Sequence, residues 1–462
     1  MSLHRFAATL LLALCIALPG LGHAAEAPGG TLAATPPLGW NSWDSYGLSV
    51  TAQEWKSNVD WFHQHLQPAG WQYVVVDEGW YLAHPENAAG KGDQGYTVDE
   101  YGRYTPDIGR FPDGLTGLAS YAHSLGLRFG IHIIRGIPKE AVQRNLAIAE
   151  STFHAADAAD TTDTCRWNPD NYGIKDNAAG QAYYDSLLKL YAGWGVDFLK
   201  VDCISKPYDE HEVHMISGSI TKAARPIVLS LSPGPTPLTA AANVDKYAQM
   251  WRISDDVWDI WNDPAIPEGG FPQSVRRQFT TLANWMQYQL PGHWPDADML
   301  PIGYLGPRPG WGQPRSSRLN HDETRTMLTL WAIARSPMVL GSNLLQLDSS
   351  TETLLTNRAM IAVDQQSSNN KELLVNGGLV VWRADAPKSA AGKRGYYYAV
   401  FNLGDTPMPF LYSWKQLSLA GKEHHVFDLW ETQEKGRAEK LQGTLPPHGS
   451  ALFRVDANPS RQ

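Results

Sequence analysis

The sequence predicts a (β/α)8 barrel followed by a small antiparallel β domain, on three observations. Eight short apolar runs of strand character recur over about 300 residues, and stretches of helical character lie between them. Beyond residue 357 the pattern changes to short alternating strands separated by Gly, Pro and charged turns. The chain of 462 residues is also too long for one ordinary core. A doubly wound open sheet is the alternative for the first domain.

The predicted elements follow one another in the order that a barrel requires. The barrel strands are residues 38–43, 73–77, 128–134, 198–204, 227–232, 247–253, 293–300 and 337–341. The helical stretches include 52–65, 115–125, 139–151, 182–192, 275–289 and 322–334. Later strands are predicted at 378–383, 396–403, 425–429 and 450–455. This pattern divides the chain into a signal peptide (1–24), a linker (25–34), the barrel (35–356) and a C-terminal β domain (357–462).

The first residues are typical of a secretory signal peptide. Arg5 precedes an apolar core at 7–18, and Gly22 and Ala24 occupy the −3 and −1 positions of a cleavage site. A membrane anchor is the alternative, but the apolar run is too short to span a bilayer comfortably. We therefore expect export to the periplasm or the medium.

Composition excludes some partners and bears on the redox state. The net charge of −9 and pI of about 5.9 argue against a nucleic-acid partner. Cys15 leaves with the signal, so the mature chain keeps Cys165 and Cys203, an even pair in an oxidising compartment. One disulfide is expected, with two buried thiols as the alternative. The content of Trp and Tyr, 18 and 19 residues, suits the flat faces of sugar rings.

Acidic residues concentrate at the ends of the predicted barrel strands. The carboxyl ends of barrel strands converge on one mouth, so these side chains are expected to lie together. Lys200 is two positions before Asp202 on the same face and is a plausible partner for it. Neighbouring carboxylates raise one another's pKa, which helps when one must donate a proton and another must stay ionised. The acidic residues are Asp77, Glu78, Asp202, Asp255, Asp256, Asp296 and Asp298.

Two chemistries use such an arrangement, a carboxylate-held metal and metal-free glycoside hydrolysis. The segment from His211 to His214 lacks the spacing that places two histidines and a glutamate on one helical face. We interpret it as a solvated loop, and we predict neither a metal nor an organic cofactor. Trp residues near strand ends could line the mouth for sugar stacking or pack inside the barrel: Trp40, Trp43, Trp80 and Trp294.

Six motifs together resemble the α-galactosidase (melibiase) family, glycoside hydrolase family twenty-seven, over residues 35–365. They are Thr35-Pro-Pro-Leu-Gly-Trp-Asn-Ser-Trp43, Val76-Asp77-Glu78-Gly-Trp80, Gly126-Leu-Arg-Phe-Gly-Ile-His132, Trp194-Gly-Val-Asp-Phe-Leu-Lys200-Val-Asp202-Cys203, Trp251-Arg252 and Asp296-Ala-Asp298-Met-Leu. The resemblance implies a barrel with a C-terminal β domain and a retaining double displacement without metal. It also implies a disulfide between Cys165 and Cys203.

The resemblance implies roles for individual residues. Asp202 matches the family nucleophile, and Asp256, four residues after the arginine of the Trp-Arg motif, matches the acid/base. The pair is expected roughly 5 to 6 Å apart, as in retaining enzymes. Asp202 should stay ionised, whereas Asp256 should have a raised pKa. Matches to sugar-binding or pocket positions are Trp43, Asp77, Lys200, Arg252 and Asp298.

Three departures from the family pattern affect the choice of sugar. Glu78 replaces a common Asp and extends its carboxylate toward the space for O4 and O6, as in relatives that resemble β-L-arabinopyranosidases. Ser232 stands where family α-galactosidases carry a Cys-Glu-Trp motif that faces the 2-hydroxyl, and it resembles the α-N-acetylgalactosaminidases. His132 replaces a Tyr, and the long third loop suggests a second sugar site, as in relatives that cleave α-1,6-glucan.

The leading expectation is an exo-acting glycosidase for terminal α-galactose or a stereochemically related unit. The alternatives on the same scaffold are a β-L-arabinopyranosidase, an α-N-acetylgalactosaminidase and an α-1,6-glucan exo-hydrolase. A carbohydrate-binding protein without catalysis and a metal-dependent hydrolase are further alternatives. The partner is an oligosaccharide or glycoside, with neither nucleic acid nor a membrane anchor involved.

Overall fold

The computed structural model describes residues 31–457 apart from 89–91, 265–269, 307, 309–311, 389–391 and 393. The predicted signal peptide and residues 25–30 of the predicted linker lie outside the described residues.

Eight parallel strands form a curled sheet whose neighbours follow the chain order, as predicted for a (β/α)8 barrel. The chain just beyond the seventh strand is hydrogen-bonded to the eighth strand: Leu300 N–H donates to Val339 O, and Gly341 N–H donates to Leu300 O. These bonds link the two edges of the sheet. The strands are β1 (Leu38–Asn41), β2 (Tyr73–Val76), β3 (Arg128–Ile134), β4 (Phe198–Asp202), β5 (Val228–Leu231), β6 (Met250–Arg252), β7 (Trp294–Asp296) and β8 (Met338–Leu340).

Helices follow each strand and pack their apolar sides on the barrel. The helices of seven or more residues are α1 (Ala52–His65), α2 (Gly114–Ser124), α3 (Ala178–Trp194), α4 (Glu210–Lys222), α5 (Ala241–Tyr247), α6 (Gln278–Trp285), α7 (His321–Ala334), α8 (Ser349–Leu355) and α9 (Arg358–Gln366). Thr51 and Glu54 form a capping box that starts α1, and Asn320 and Glu323 do the same for α7.

The third loop is enlarged, as predicted, but its internal structure differs from the prediction. It carries a three-stranded antiparallel sheet of Ile137–Pro138, Ala159–Thr164 and Asn171–Ile174. The helix predicted at 139–151 ends at Gln143, because Asn145 adopts a positive φ of 45° and turns the chain back.

The C-terminal region forms two antiparallel sheets. The strands are β9 (Ser368–Asn376), β10 (Leu379–Ala386), β11 (Gly395–Asn402), β12 (Met408–Ser413), β13 (His424–Asp428), β14 (Gln433–Ala438), β15 (Lys440–Leu445) and β16 (Ser450–Asp456). The order in the larger sheet is β9-β10-β11-β16-β13-β14, and β12 pairs with β15. Side chains alternate along β10: Trp382 joins the core shared with the barrel, whereas Val381 packs in the core of the β domain.

None of the helices in the described ranges combines the length and the apolar character that crossing a bilayer requires.

Candidate active site

The side chains predicted from strand ends converge on one end of the barrel. Asp202 is the last residue of β4, and its strand neighbour in the β3 register is Ile134. Two residues earlier, Lys200 pairs with His132 in the same register. Because residues two apart on a strand share a face, His132, Lys200 and Asp202 line adjacent positions at the mouth. Their close contacts are hydrogen bonds and ion pairs rather than packing.

Three groups hold the carboxylate of Asp202. The indole N–H of Trp167 donates to Oδ1 at 2.8 Å. On the other oxygen, Oδ2 lies 3.4 Å from the Ser232 hydroxyl and 3.5 Å from Nε2 of His132. Burial acts to raise the pKa of Asp202, but the hydrogen bond and charge of His132, with the charge of Lys200, lower it overall. Asp202 is therefore held as a carboxylate.

Lys200 binds Asp77 directly, and its contribution to Asp202 is through charge. Its Nζ lies 2.8 Å from Oδ2 of Asp77, which also accepts a 2.6 Å hydrogen bond from the Asn41 amide. Burial works against both charges, yet their mutual attraction lowers the pKa of Asp77 and raises that of Lys200. The prediction of Lys200 as the direct partner of Asp202 is thus corrected to a cationic neighbour.

Asp256 is in a different electrostatic environment. It lies four residues beyond the end of β6, with its side chain 39% exposed, and it accepts a 3.0 Å hydrogen bond from Arg252. Partial burial raises the pKa of Asp256, and the charge of Arg252 lowers it. The charges of Asp255 and Asp202 raise this pKa further, so the net shift is upward. Asp255 itself pairs with Lys206 at 2.5 Å. A carboxyl group in this setting is suited to hold and release a proton.

Asp298 lies behind the pocket. Its Oδ1 is 2.6 Å from Arg252 and its Oδ2 accepts a 2.7 Å bond from the Val257 N–H, one residue after Asp256. The side chain is buried, and the residue has a φ of 91°. Asp298 therefore fixes Arg252 and the loop that carries Asp256, whereas the resemblance implied a position in the pocket.

Glu78 borders the site opposite the Asp256 loop. The amide of Asn168 donates to its Oε1 at 2.7 Å, and Asn168 is itself buried. Burial raises the pKa of Glu78 to about 7, with the charges of Asp202 and Asp77 adding to the increase and His132 opposing it. The longer carboxyl side chain is therefore anchored in one place.

The disulfide joins the third loop to the residue that follows β4. Cys165 and Cys203 are bonded, with Cα atoms 5.9 Å apart, as the resemblance implies. Cys203 follows Asp202 directly and adopts a positive φ of 63°. Trp167 and Asn168, which contact Asp202 and Glu78, follow the other cysteine by two and three residues. The cross-link thus brings both contacts to the site.

The four tryptophans named from the sequence divide unequally. Trp43 is partly exposed and begins the short helix Trp43–Tyr46 at the end of β1. The other three are fully buried: the indole of Trp40 donates to Ser342 O, that of Trp80 to His132 O and that of Trp294 to Ala33 O. They pack the barrel, so only Trp43 among the four remains a candidate wall of the pocket.

Within the described residues, one group of potential metal ligands lies close together, and an arginine already occupies it. Oxygens of Asp163, Asp209 and Glu212 lie within 4.8 Å of one another. Arg135 places Nη1 2.6 Å from Glu212 and Nη2 2.8 Å from Asp163. The cation that this group needs is therefore supplied by the chain.

The segment 211–214 is helical, contrary to the predicted loop. It lies in α4, whose N-cap is Asp209, with His211 and His214 exposed and Glu212 buried against Arg135. This part of the helix was not predicted because its sequence is largely polar, and a buried face of only a few apolar residues gives a weak helical periodicity.

Four residues of the site were not predicted: Asn41, Asp44, Trp167 and Asn168. Asn41 lies within the recognised motif that ends at Trp43 and Asp44 follows that motif directly, but no spacing rule assigned them contacts. Burial raises the pKa of Asp44 to about 7, and the charge of Lys200 opposes this. A signal for Trp167 existed in the sequence, since the expected disulfide places it near Asp202.

Family models match most of the chain. A model described as alpha galactosidase A matches residues 35–142 and 161–366, and one described as an alpha galactosidase C-terminal beta sandwich domain matches 376–455. The gap between the two matched parts of the first model falls in the enlarged third loop.

Individual proteins agree with these models. A family twenty-seven β-L-arabinopyranosidase from Geobacillus stearothermophilus has a sequence 40% identical to this chain. Its crystal structure matches with a TM-score of 0.84 and covers 93% of this chain and 98% of that one. A putative α-N-acetylgalactosaminidase from Bacillus halodurans is 37% identical, with a TM-score of 0.78 over 92% of this chain and 97% of that one. Alpha-galactosidase A of Cellvibrio japonicus is 25% identical over 443 residues, which is 92% of each chain.

Proposed function

The chain belongs to the α-galactosidase family of glycoside hydrolases, and from that premise we propose that it is a retaining exo-glycosidase that prefers terminal β-L-arabinopyranosyl units. The observation that supports this choice of sugar most directly is the anchored Glu78 at the sugar pocket. α-D-Galactosides, which share the ring stereochemistry, are the second candidate.

In the first step, a carboxylate oxygen of Asp202 bonds to the anomeric carbon while the glycosidic C–O bond breaks. Asp256 transfers its proton to the departing oxygen, so the leaving group departs as a neutral alcohol. In the second step Asp256 takes a proton from water, the water oxygen bonds to the anomeric carbon and Asp202 is released. Two inversions give net retention. The separation of roughly 5 to 6 Å between the two carboxyl groups stays a prediction.

The electrostatic environments support this division of labour. Asp202 has a lowered pKa, as a nucleophile needs at neutral pH, whereas Asp256 has a raised pKa, as a general acid needs. Oδ2 of Asp202 has only longer contacts, at 3.4 and 3.5 Å, so we assign it as the attacking oxygen. Arg252 orients Asp256 and Asp298 holds that arginine.

Sugar hydroxyls are assigned to the polar groups around Asp202. We propose that Asp77 and Lys200 bind adjacent hydroxyls as an ion pair, while Arg252 contacts the sugar near Asp256. Trp43, partly exposed at the end of β1, is the proposed apolar wall. Ser232 and His132 are buried on the inner side of Asp202, where they orient its carboxylate.

The sugar preference follows from the length of Glu78. β-L-Arabinopyranose has the ring configuration of α-D-galactopyranose without the C6 hydroxymethyl group. Glu78 is one methylene longer than the aspartate that is common in the family, and Asn168 prevents it from swinging away. A hydroxymethyl group would then compete with the carboxyl for space, which disfavours galactose.

A panel of aryl glycosides assayed with the native protein and Glu78→Asp tests the proposal. We expect kcat/KM for 4-nitrophenyl β-L-arabinopyranoside to exceed that for the α-D-galactoside by at least about tenfold, and Glu78→Asp to reduce this ratio. The first-formed product should have the anomeric configuration of the substrate by NMR. A galactoside preference in the native protein would support the second candidate, while no turnover of either by folded protein would favour a carbohydrate-binding role.

We also propose that residues 1–24 direct export. The Cys165–Cys203 disulfide is compatible with an oxidising compartment. N-terminal sequencing of protein from the native host should begin at Ala25, and a mature chain that retains Met1 would contradict this.

A further inference from the structure

Trp167 donates a hydrogen bond to Asp202, and almost half of its side chain is exposed. We propose that its indole N–H orients the nucleophile Asp202 and that its exposed ring face is the platform on which the leaving group stacks. This inference rests on the proposed function and deepens it, because it assigns a leaving-group subsite and a positioning residue to the same cavity.

The contact with Asp202 identifies the side of the carboxylate that faces the leaving group. Oδ1 accepts the 2.8 Å bond from Trp167, whereas Oδ2 faces buried Ser232 and His132. Trp167 is 46% exposed, while those two partners are 2% and 1% exposed. Oδ1 therefore points toward the mouth and Oδ2 toward the barrel interior. In an exo-acting enzyme the sugar lies inside and the leaving group points to solvent, so Trp167 borders the leaving group.

The type of contact suits a positioning role. An indole N–H is a neutral donor, so it can fix the rotation of a carboxylate without adding a charge that would weaken the nucleophile. It leaves Oδ2 free of short hydrogen bonds and available for attack. The indole nitrogen is held at Oδ1 while the side chain is 46% exposed, so the apolar face of the ring extends from Asp202 toward the open mouth of the barrel.

The backbone holds Trp167 on both sides. Two residues before it, Cys165 is cross-linked to Cys203, which directly follows Asp202. One residue after it, buried Asn168 donates to Glu78 and accepts from the backbone N–H of Asp170. A large exposed aromatic side chain is therefore fixed in place beside the reacting bond. Such a surface suits the flat CH face of a leaving sugar or an aryl group.

Two variants separate the proposed functions of the N–H and the ring. Trp167→Phe keeps an apolar ring and removes the N–H, whereas Trp167→Ala removes both. Kinetics should be measured with β-L-arabinopyranosyl fluoride, whose leaving group is too small to stack, with the 4-nitrophenyl glycoside and with a disaccharide ending in the same sugar. Trp61→Phe, on α1 where Trp61 stacks on His65, is the matched control. Thermal unfolding of each variant reports whether the fold is retained.

We expect both Trp167 variants to lower kcat/KM for the fluoride equally, by about tenfold, because both lose a hydrogen bond to a charged group. For the aryl glycoside and the disaccharide, Trp167→Ala should lose a further threefold to tenfold relative to Trp167→Phe, since only it lacks a ring. The acid limb of kcat/KM should move to higher pH in Trp167→Phe, because the carboxylate loses a donor that favours its charged form. Trp61→Phe should match the native protein.

Several results would overturn the inference. An unchanged rate with the fluoride or an unmoved acid limb in Trp167→Phe would remove the positioning role. Equal losses for Trp167→Ala and Trp167→Phe on both larger substrates would remove the platform, and loss with only one of them would restrict it to sugar or aryl leaving groups. Higher activity in Trp167→Ala would mean that the ring obstructs the site. If the native protein prefers the galactoside, the proposed sugar preference fails and the same series is run with that sugar to test Trp167. A native protein inactive on both sugars fails the proposed glycosidase activity itself.

Discussion

The two carboxyl groups proposed to carry the reaction lie at the same barrel mouth but in opposite electrostatic environments. Asp202 ends a strand and is surrounded by His132, Lys200 and the Trp167 N–H. Asp256 lies on a loop beyond its strand, near a second aspartate, with one arginine bonded to it. Burial acts on both in the same direction, so the neighbours decide the outcome. Two identical side chains are thereby adapted to different roles.

The fold explains the contrast. A residue at a strand end receives neighbours from the strands on both sides: His132 in β3 and Ser232, the residue after β5, both face Asp202. A residue four positions beyond its strand depends on loop contacts: Asp255 precedes Asp256 on the same loop, and Asp298, from the loop after β7, accepts the next backbone N–H. The rigid position suits bond formation to carbon, and the loop position, with a 39% exposed side chain, suits exchange of protons with water.

Removal of the nucleophile should produce the largest effect. Asp202→Asn keeps the shape and can still accept the Trp167 hydrogen bond, but it lacks the anionic oxygen that attacks the anomeric carbon. We expect kcat on 4-nitrophenyl β-L-arabinopyranoside to fall on the order of ten-thousandfold. Calorimetric binding of L-arabinose should persist in this variant. Retention of more than about a hundredth of native activity would contradict the assignment.

Removal of the acid should be less severe, with losses that depend on the leaving group. Asp256→Ala should lose roughly a hundred- to ten-thousandfold in kcat/KM with a disaccharide, because protonation of the departing alcohol is lost. With the fluoride, which needs no proton, the loss in the first step should be small. Added azide should restore turnover by attacking the glycosyl-enzyme, giving a glycosyl azide with retained configuration. Equal losses on both substrates would argue against an acid role.

The acidic mouth could be predicted because barrel strands are short apolar runs that end in acids, whereas the proposed roles of Asp202 and Asp256 came from the family resemblance. The predicted limits 128–134 and 52–65 coincide with β3 and α1, since both elements have a strong periodic pattern and α1 has a capping box. Strands β9, β12, β14 and β15 were not predicted. In β9, β14 and β15 the side chains are largely polar and exposed, which removes the alternation that marks a strand. In β12 the residue Pro409 weakens the strand pattern.

Contacts between distant segments were harder to predict. Trp167 contacts Asp202 across 35 residues and Asn168 contacts Glu78 across 90, and no local pattern encodes either bond. The same holds for Lys200, whose shared strand face suggested Asp202, while its direct partner Asp77 follows β2, which is separated from β4 by β3. Strand periodicity gives the direction of a side chain, but the closure of the barrel decides which distant residue meets it.

A smaller effect is expected when the charge of His132, beside the proposed nucleophile Asp202, is removed. Burial tends to lower the pKa of His132, but Asp77 and Asp202 raise it overall, so the imidazole favours its charged form. His132→Gln keeps a hydrogen-bond donor and removes the charge. The pKa of Asp202 should then rise, which moves the acid limb of kcat/KM to higher pH with little change in the basic limb. A pH titration of kcat/KM from 3 to 9 checks this, and an unmoved acid limb would show that His132 does not set the charge of Asp202.

The smallest effect is expected from the replacement of Asp255, which neighbours the proposed acid Asp256. The Asp255 charge raises the pKa of Asp256, and Asp255 is itself paired with Lys206. Asp255→Asn removes that charge while its amide oxygen can still accept the Asp256 N–H. The basic limb of kcat/KM should move to lower pH by less than about one unit, because the arginine still bonded to Asp256 then acts with less opposition. Lys206→Gln should move it the other way, since the Asp255 charge would lose its counterion. Shifts of the same sign in the two variants would contradict this electrostatic account of the acid.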